Sequence, residues 1–119
     1  MARCRTALAL AVALSGPAAA STDASGVWRN PKHQAIVELK ACAGGLCGDF
    51  LQQPWDGAEL QLVRSFQRLS DTRWGGGRIY DMNDGATYEV DLELIDPQRL
   101  KVRGCWLSFC EVAIWRRVR

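Results

Sequence analysis

The stretch TYEVDLEL, residues 87–94, alternates without exception between large apolar or aromatic side chains and polar ones. Its apolar members are Tyr88, Val90, Leu92 and Leu94. Alternation with a period of two is typical of a β-strand that has one face against a core and the other in water. The stretch therefore predicts a half-buried strand, and because similar runs recur along the chain, it predicts an all-β protein.

Similar runs occur on both sides of this stretch, with turn-forming residues between them. Residues 34–41 alternate with Ala35, Val37, Leu39 and Ala41 on the expected inner face, and residues 100–105 alternate as well. Residues 58–69 fit either a strand or one helical turn. Consecutive antiparallel hairpins form an up-and-down meander, and closing the meander removes its exposed edges. We therefore expect a small closed barrel of about eight strands.

Two cysteine pairs have the same spacing, Cys42 with Cys47 and Cys105 with Cys110. Four cysteines allow three connectivities. We expect the two local bridges, because neighbours across the neck of a hairpin lie within the Cα separation that a disulfide needs. The chain-entropy model favours a long Cys42–Cys105 bridge instead, at about 4 kcal/mol against about 2 kcal/mol for a short loop. Local geometry decides the prediction.

The first twenty residues have the pattern of a secretion signal. Arg3 and Arg5 precede an apolar run from Ala7 to Leu14, and Ala18-Ala19-Ala20 supplies small residues for cleavage. An apolar run this short does not reach the length of about 20 residues that spans a bilayer. We therefore expect residues 1–20 to be a signal peptide of the general secretion route, with a soluble periplasmic or secreted product.

Removal of this signal changes the charge of the chain. The chain has 15 Lys and Arg residues, and 13 remain without Arg3 and Arg5, against 13 Asp and Glu residues. The mature protein is therefore expected to be neutral, without the basic surface by which proteins bind nucleic acid. We expect no nucleic-acid partner.

The sequence offers weak support for metal binding or catalysis. The spacing of the cysteines differs from the usual zinc pattern, and Asp81, Asn83 and Asp84 fit a hairpin turn better than a calcium loop. His33 is the single histidine, and Asp49 and Asp56 would act together only if the fold joined them. We expect no metal, no cofactor and no enzymatic activity.

A set of short motifs spans residues 26–118 in a fixed order. They are Gly26-Val27-Trp28, Cys42 to Gly48, Trp74 to Asp81, Asp84 to Tyr88, Val102 to Cys105 and Trp115 to Val118. This set resembles the bacterial exported family catalogued as domain of unknown function 2147, whose members are similar to lipocalins in fold. The resemblance implies a single lipocalin-like barrel over 26–118, preceded by a short disordered segment over 21–25. It implies no activity.

The same resemblance suggests how one end of the barrel closes. Lipocalin-like barrels pack a Gly-x-Trp tryptophan against an arginine of the last strand, and Trp28 with Arg116 or Arg117 resembles that pair. A cation over an indole ring contributes about 0.5–2 kcal/mol, depending on burial. We favour this closing role over a role of Trp28 in lining a ligand.

Two functions fit such a barrel. The first is a carrier that holds one small apolar ligand in the barrel mouth. Its aromatic walls would come from Trp55, Tyr80, Tyr88 and Trp106, and Arg78 or Arg103 would anchor a polar head. Five tryptophans in 119 residues favour this reading.

The alternative is an interaction module that binds a protein of the envelope or the extracellular space. The loop from Gln52 to Gly57 and the turn from Trp106 to Phe109 would form its surface. Trp106, Leu107 and Phe109, held by a disulfide, are residues suited to an interface anchor. These three side chains would instead cap the barrel if they folded inward.

Overall fold

The computed structural model describes residues 23–119, and the expected signal over 1–20 lies outside the described residues. The described part of the chain forms nine β-strands. They are β1 (Gly26–Arg29), β2 (Ile36–Cys42), β3 (Gly45–Gln52), β4 (Leu60–Arg64), β5 (Phe66–Arg68), β6 (Arg73–Asp81), β7 (Thr87–Asp96), β8 (Arg99–Trp106) and β9 (Phe109–Arg117). None of the described residues belongs to a helix long and apolar enough to cross a membrane.

The strands close into an antiparallel barrel. Each strand from β5 to β9 pairs with the next in the chain, β1 pairs with both β2 and β9, and β3 pairs with β2 and β5. The ring therefore has eight positions, with β4 and β5 sharing one edge of β6. The prediction of an all-β, up-and-down barrel braced by two disulfides is confirmed.

The segment left open by the sequence forms strands. Within residues 58–69, β4 and β5 are separated only by Ser65, and both pair with β6. The ring of Phe66 packs against Gly77, where a Cβ would collide with the ring, and a Cβ on Gly45 would collide with the backbone carbonyl of Phe66. These two glycines let the barrel close at this point, because a side chain at either position would push the strands apart.

One end of the barrel is filled by a packed core. Ala24, Leu46, Trp74 and Leu94 are buried there in one cluster with Trp28. Two expectations need correction at this end. Residues 23–25 are not a disordered segment, since Ala24 is fully buried and accepts a hydrogen bond from Trp28 Nε1 at 2.9 Å. Ala41 is exposed although its Cα partner Leu46 is buried, because it lies near the end of β2, beyond the buried part of the strand.

Both disulfides are local. Cys42 bonds to Cys47 with a Cα separation of 5.8 Å, and Cys105 bonds to Cys110 with a Cα separation of 4.0 Å. Cys105 and Cys110 are direct partners across the β8–β9 hairpin, whereas Cys42 lies opposite Gly45 and Cys47 opposite Lys40. Equal spacing in the sequence therefore produces two different registers, because the turn sits one residue earlier in the first hairpin.

Candidate functional site: the barrel cavity

The connections between strands lie at two ends of the barrel, and the two ends differ. The mouth consists of segments 30–35, 53–59 and 82–86 together with the turn at 107–108. The closed end consists of the turns at 43–44, 69–72 and 97–98 together with the described chain ends at Asp23 and Arg119. In an up-and-down barrel alternate connections share an end, so the functional side chains at the mouth come from four separate segments.

A cavity of about 510 Å³ occupies the barrel between these ends. Its wall is largely apolar and draws on inward-facing side chains from every part of the ring. Among the wall residues are Val37, Leu39, Phe50, Leu62, Ile79, Val90, Leu92, Val102, Ala113 and Trp115. Pockets of roughly 300–1,000 Å³ with mainly apolar walls are typical sites for small molecules. The interior of this barrel is therefore hollow as well as apolar.

The floor of the cavity is sealed by Trp28 and Arg117. Trp28 is fully buried, and the guanidinium carbon of Arg117 lies 4.4 Å from the centre of its ring. Arg117 also donates hydrogen bonds to the carbonyls of Asp23, Ser25 and Pro97 at 2.6–2.8 Å. Because one side chain joins the ring, the N-terminal segment and the 97–98 turn, this end is fixed.

Arg116, the other arginine considered for this role, points away from the floor. It is exposed, and its Cα partners are Arg29 on β1 and Arg99 on β8. Alternation along β9 explains the difference, since Trp115 and Arg117 face inward and Arg116 between them faces outward. Trp28 combines the two roles that were weighed as alternatives, because it packs under Arg117 and also borders the cavity.

The wall is incomplete near the mouth. β9 pairs with β8 back to Phe109 but pairs with β1 only at Arg116 and Arg117. Segment 30–35 leaves β1 at this level, so the backbone of residues 109–115 has no strand partner on that side among residues 23–119. Residues from both sides of the gap, His33 and Glu111, line the cavity.

Three of the predicted ligand residues meet at the cavity. Trp55 reaches it from segment 53–59, Tyr88 from the start of β7 and Trp106 from the end of β8. Trp55 and Trp106 are about half exposed, so their rings form the rim, whereas Tyr88 lies deeper. The structure thus brings together aromatic side chains that are 18 to 51 residues apart in sequence.

The other three predicted ligand residues lie outside the cavity. Arg78 faces outward on β6, where its Nη2 lies 2.9 Å from Oε1 of Glu89, and Tyr80 is exposed on the same face. Arg103 faces outward on β8, 3.7 Å from Asp91. The reason is the strand period: Ile79 and Val102 face inward, so their neighbours face outward. The proposed arginine anchors are therefore corrected.

Sequence reasoning missed Glu111, which lies in the cavity wall together with Phe109, Ala113 and Trp115. Glu111 is the Cα partner of Gly104, and a Cβ on Gly104 would meet no heavy atom within 4 Å. The signal was present in the sequence. Gly104 lies two residues after Val102 and therefore on the same face of β8, and symmetric pairing of Cys105 with Cys110 places Glu111 opposite Gly104 on that face.

Tyr88 is the polar group whose acidity is most clearly changed by this environment. Burial raises the pKa of Tyr88 above its ordinary value of 10.0, and the nearby carboxylates of Asp84 and Asp81 raise the pKa further. The phenol therefore stays protonated at neutral pH and offers a hydrogen-bond donor at the wall.

The turn at the tip of the β8–β9 hairpin is strongly apolar and exposed. Leu107 is 80% exposed and has a φ of 56°, while Phe109 is 72% exposed. Trp106 and Phe109 also border the cavity, but Leu107 does not. Of the three residues predicted to form an interaction surface, Trp106 and Phe109 therefore belong to the rim of the cavity, and Leu107 does not.

The remaining polar candidates lie apart from one another. Asp49 faces outward on β3 opposite Glu38, and Asp56 accepts a weak hydrogen bond of 3.4 Å from Gln34 in the mouth. Within residues 23–119 no group of three or more histidine, cysteine, aspartate or glutamate side chains is placed to hold a metal ion.

A small antiparallel β-barrel, with a local disulfide at each end and a hollow apolar interior, is the class of protein that this structure defines. The chain belongs to the family described as an uncharacterized protein conserved in bacteria, domain of unknown function 2147, whose model matches residues 26–117. The match covers every strand of the barrel. No curated protein and no solved structure matches the chain.

Proposed function

We propose that this protein is an exported, non-enzymatic binding protein that holds one small apolar molecule inside its barrel. The observation that carries the proposal is the cavity of about 510 Å³, whose wall is mainly aliphatic and aromatic. Its volume falls in the range of roughly 300–1,000 Å³ typical of small-molecule sites. Export to the periplasm or the medium is supported by the two disulfides, which persist in oxidising compartments.

The ligand enters at the mouth, because the other end is sealed by Trp28 and Arg117. The half-exposed rings of Trp55 and Trp106 give an apolar ligand its first contacts at the rim. The gap between segment 30–35 and β9 widens the entrance, since no backbone ladder has to break there. The ligand then replaces water along the aliphatic wall, which is the favourable term in its binding.

The binding test uses the uncharged apolar fluorophore N-phenyl-1-naphthylamine. We expect its fluorescence to rise and to saturate at one molecule per chain. Uncharged decan-1-ol should displace the fluorophore and be recovered without chemical change. Gly104→Phe places a ring into the cavity, where the space beside Gly104 is open. We expect this variant to fold and to lose binding.

The matched control is Arg103→Phe, which adds the same ring one residue away on the outer face. We expect this variant to bind the fluorophore like the unmodified protein. Equal binding by the two variants, or a signal that never saturates, would show that the fluorophore adheres to the surface and would overturn the carrier proposal.

A second candidate function is an interaction module, and Leu107 is the observation that favours it. A leucine with a positive φ is sterically unfavourable, and at this tip it also exposes most of its side chain to water. Residues that stabilise neither the turn nor the core suggest contact with another molecule. Such a partner would be a protein of the envelope or of the extracellular space.

A photo-crosslinking residue at Leu107 separates the two functions, because Leu107 is outside the cavity wall. A partner protein gives one adduct of defined mass in the intact cell envelope, and the same residue at the exposed Gln98 of the closed end gives none. If ligand binding survives Leu107→Ser and neither position gives an adduct, the interaction module is excluded and the carrier function stands.

A further inference from the structure

Among the charged side chains of the last four strands, Glu111 differs in its orientation. Arg78, Lys101 and Arg103 point outward and lie within 3.9 Å of Glu89, Glu93 and Asp91, respectively. Glu111 points inward instead, and its side chain makes no hydrogen bond or ion pair with any of residues 23–119. Glu111 is exposed, so water solvates its carboxylate while the cavity is empty, and the carboxylate remains available to a ligand that enters the cavity.

No lysine or arginine belongs to the cavity wall formed by the described residues. The ionisable groups of the wall are Glu111, the phenol of Tyr88 and the single histidine, His33. Glu111 is the one carboxylic acid among these groups. Asp84 and Asp81 lie close enough to Tyr88 to raise the pKa of its phenol, although neither carboxylate lines the cavity.

Aromatic side chains share the cavity wall with this carboxylate. Trp106 and Phe109 pair with each other two register steps above Glu111 on the mouth side, and Trp55 and Tyr88 line the same cavity. Faces of aromatic rings attract cations, and sets of such rings are the usual sites for quaternary ammonium groups. A carboxylate among aromatic rings therefore matches an ammonium head in charge and in surface.

The depth of the cavity suits an alkyl chain attached to such a head. Glu111 and Trp115 are four residues apart on β9, which corresponds to roughly 13 Å at about 3.3 Å per residue. Ala113 lies between them on the wall, and Val102 and Leu100 line the adjacent strand. A chain that begins at Glu111 thus runs along aliphatic side chains to the tryptophan floor.

We infer that this cavity takes an apolar chain carrying a cationic ammonium head, and that Glu111 and the aromatic rim distinguish it from a chain carrying a carboxylate. The inference rests on the proposed carrier function and names the chemical class of its ligand. It replaces the arginine that the sequence analysis expected to anchor a polar head with a carboxylate, which favours a cationic head.

The test compares three probes with the same chain: decyltrimethylammonium, decan-1-ol and decanoate. Each probe is used below its micelle-forming concentration to displace N-phenyl-1-naphthylamine from the disulfide-bonded protein at pH 8 and low salt. We expect the ammonium probe to bind best and decanoate worst, with about tenfold between them. High salt should reduce the difference in affinity between the two charged probes, because screening weakens charge interactions.

Two variants assign the selectivity to Glu111. Glu111→Gln should weaken the ammonium probe by about fivefold and leave decan-1-ol unchanged, and Glu111→Lys should make decanoate the better of the two charged probes. Both side chains fit, since position 111 is exposed and faces the open space beside Gly104. Glu89→Gln, which removes a carboxylate from the outer face, should keep the order of the unmodified protein.

The outcomes separate this inference from the function on which it rests. Equal affinity for the three probes, a preference for decanoate, or an unchanged ammonium preference in Glu111→Gln would overturn the inference while the carrier function stood. Failure of decan-1-ol as well as both charged probes to displace the fluorophore would overturn the carrier function itself, and the inference with it.

Discussion

The two ends of this barrel contain the same structural features, but their tryptophan side chains differ in burial. Each end has a tight hairpin, a local disulfide and tryptophan side chains, Cys42–Cys47 with Trp28 and Trp74 at one end and Cys105–Cys110 with Trp106 at the other. At the closed end the indoles are fully buried, and at the mouth they are half exposed. The same residue type therefore supplies packing at one end and an accessible surface at the other.

The difference follows from what covers each ring. Trp28 is covered by Arg117 and by residues 23–25, which fold back under the barrel. At the mouth, segments 30–35 and 53–59 are joined by a hydrogen bond from Gln34 N to the carbonyl of Pro54, yet the rings of Trp55 and Trp106 stay about half exposed. Stability is thus concentrated at the closed end and accessibility at the mouth, a division typical of binding proteins.

The largest contrast is expected when a tryptophan is truncated at each end. Trp28→Ala should reduce the free energy of unfolding by about 3–5 kcal/mol, because it leaves a large cavity beneath the barrel. Trp106→Ala should reduce it by about 1 kcal/mol or less, because half of its ring is already in water. Chemical denaturation of the two variants measures both values. Equal losses would show that the ends do not differ in packing.

A second contrast uses one small change, glycine to alanine. Gly45→Ala should cost about 1–3 kcal/mol, since the new methyl group meets the backbone carbonyl of Phe66 where β3 and β5 pair. Gly104→Ala faces the open cavity, meets no atom within 4 Å and should have an effect below about 0.5 kcal/mol. Thermal unfolding distinguishes them. A destabilised Gly104→Ala would mean that the interior is filled.

The turn at the mouth should gain stability when its leucine is removed. Leu107→Gly is expected to raise the free energy of unfolding by about 1 kcal/mol, because glycine adopts a positive φ without the steric penalty of a Cβ. In the matching turn of the closed end, the first position is Ala43 with a φ of 32° and the second is Gly44 with a φ of 83°. Differential scanning calorimetry would reveal the shift, and a lower midpoint for Leu107→Gly would contradict a strained turn.

The smallest expected effect is a loss of folding stability at acidic pH. A hydrogen bond from Arg78 lowers the pKa of Glu89, and one from Arg99 lowers the pKa of Asp96 near the closed end. Each folded pKa is below its unfolded value, so each pair stabilises the fold above the ordinary pKa of 4.5 or 3.8 and loses this effect as pH falls. Both groups are exposed, so the effect is small and is screened by salt.

Glu89→Gln should therefore lower the melting temperature slightly at pH 7 and reduce its decline toward pH 2. Glu93→Gln removes a carboxylate from a longer contact of 3.9 Å with Lys101 and serves as the control. The same slope of melting temperature against pH in Glu89→Gln and the unmodified protein would mean that the Arg78–Glu89 pair does not stabilise the fold.

The fold could be predicted because alternation is a local property. Residues 87–94 and 100–105 have the inward and outward faces that their sequence indicates. The same rule, applied to Arg103, would have placed it outside the barrel, and the hairpin pairing would have brought in Glu111. Local alternation could not predict the closing role of residues 23–25. This role depends on contacts of Asp23 and Ser25 with Arg117, which lies more than 90 residues away in the sequence.

The hollow interior was the feature least accessible to sequence. Large inward side chains predict a filled barrel as readily as an open one, since their total volume has to be compared with the volume enclosed by the strands. Equal cysteine spacing likewise indicated two local bridges but not their registers, which depend on the positions of the turns at 43–44 and 107–108.

Photolabelling of β9 tests the central claim, a ligand site between the closed end and the mouth, most directly. Decan-1-ol with a diazirine on its chain is bound, irradiated and located by mass spectrometry of the digested protein. A ligand inside the barrel predicts saturable labelling of Ala113 and Trp115, which decan-1-ol prevents, with Val112 and Ile114 unlabelled. Saturable labelling of Val112 and Ile114 on the outer face, with none at Ala113 and Trp115, would contradict it.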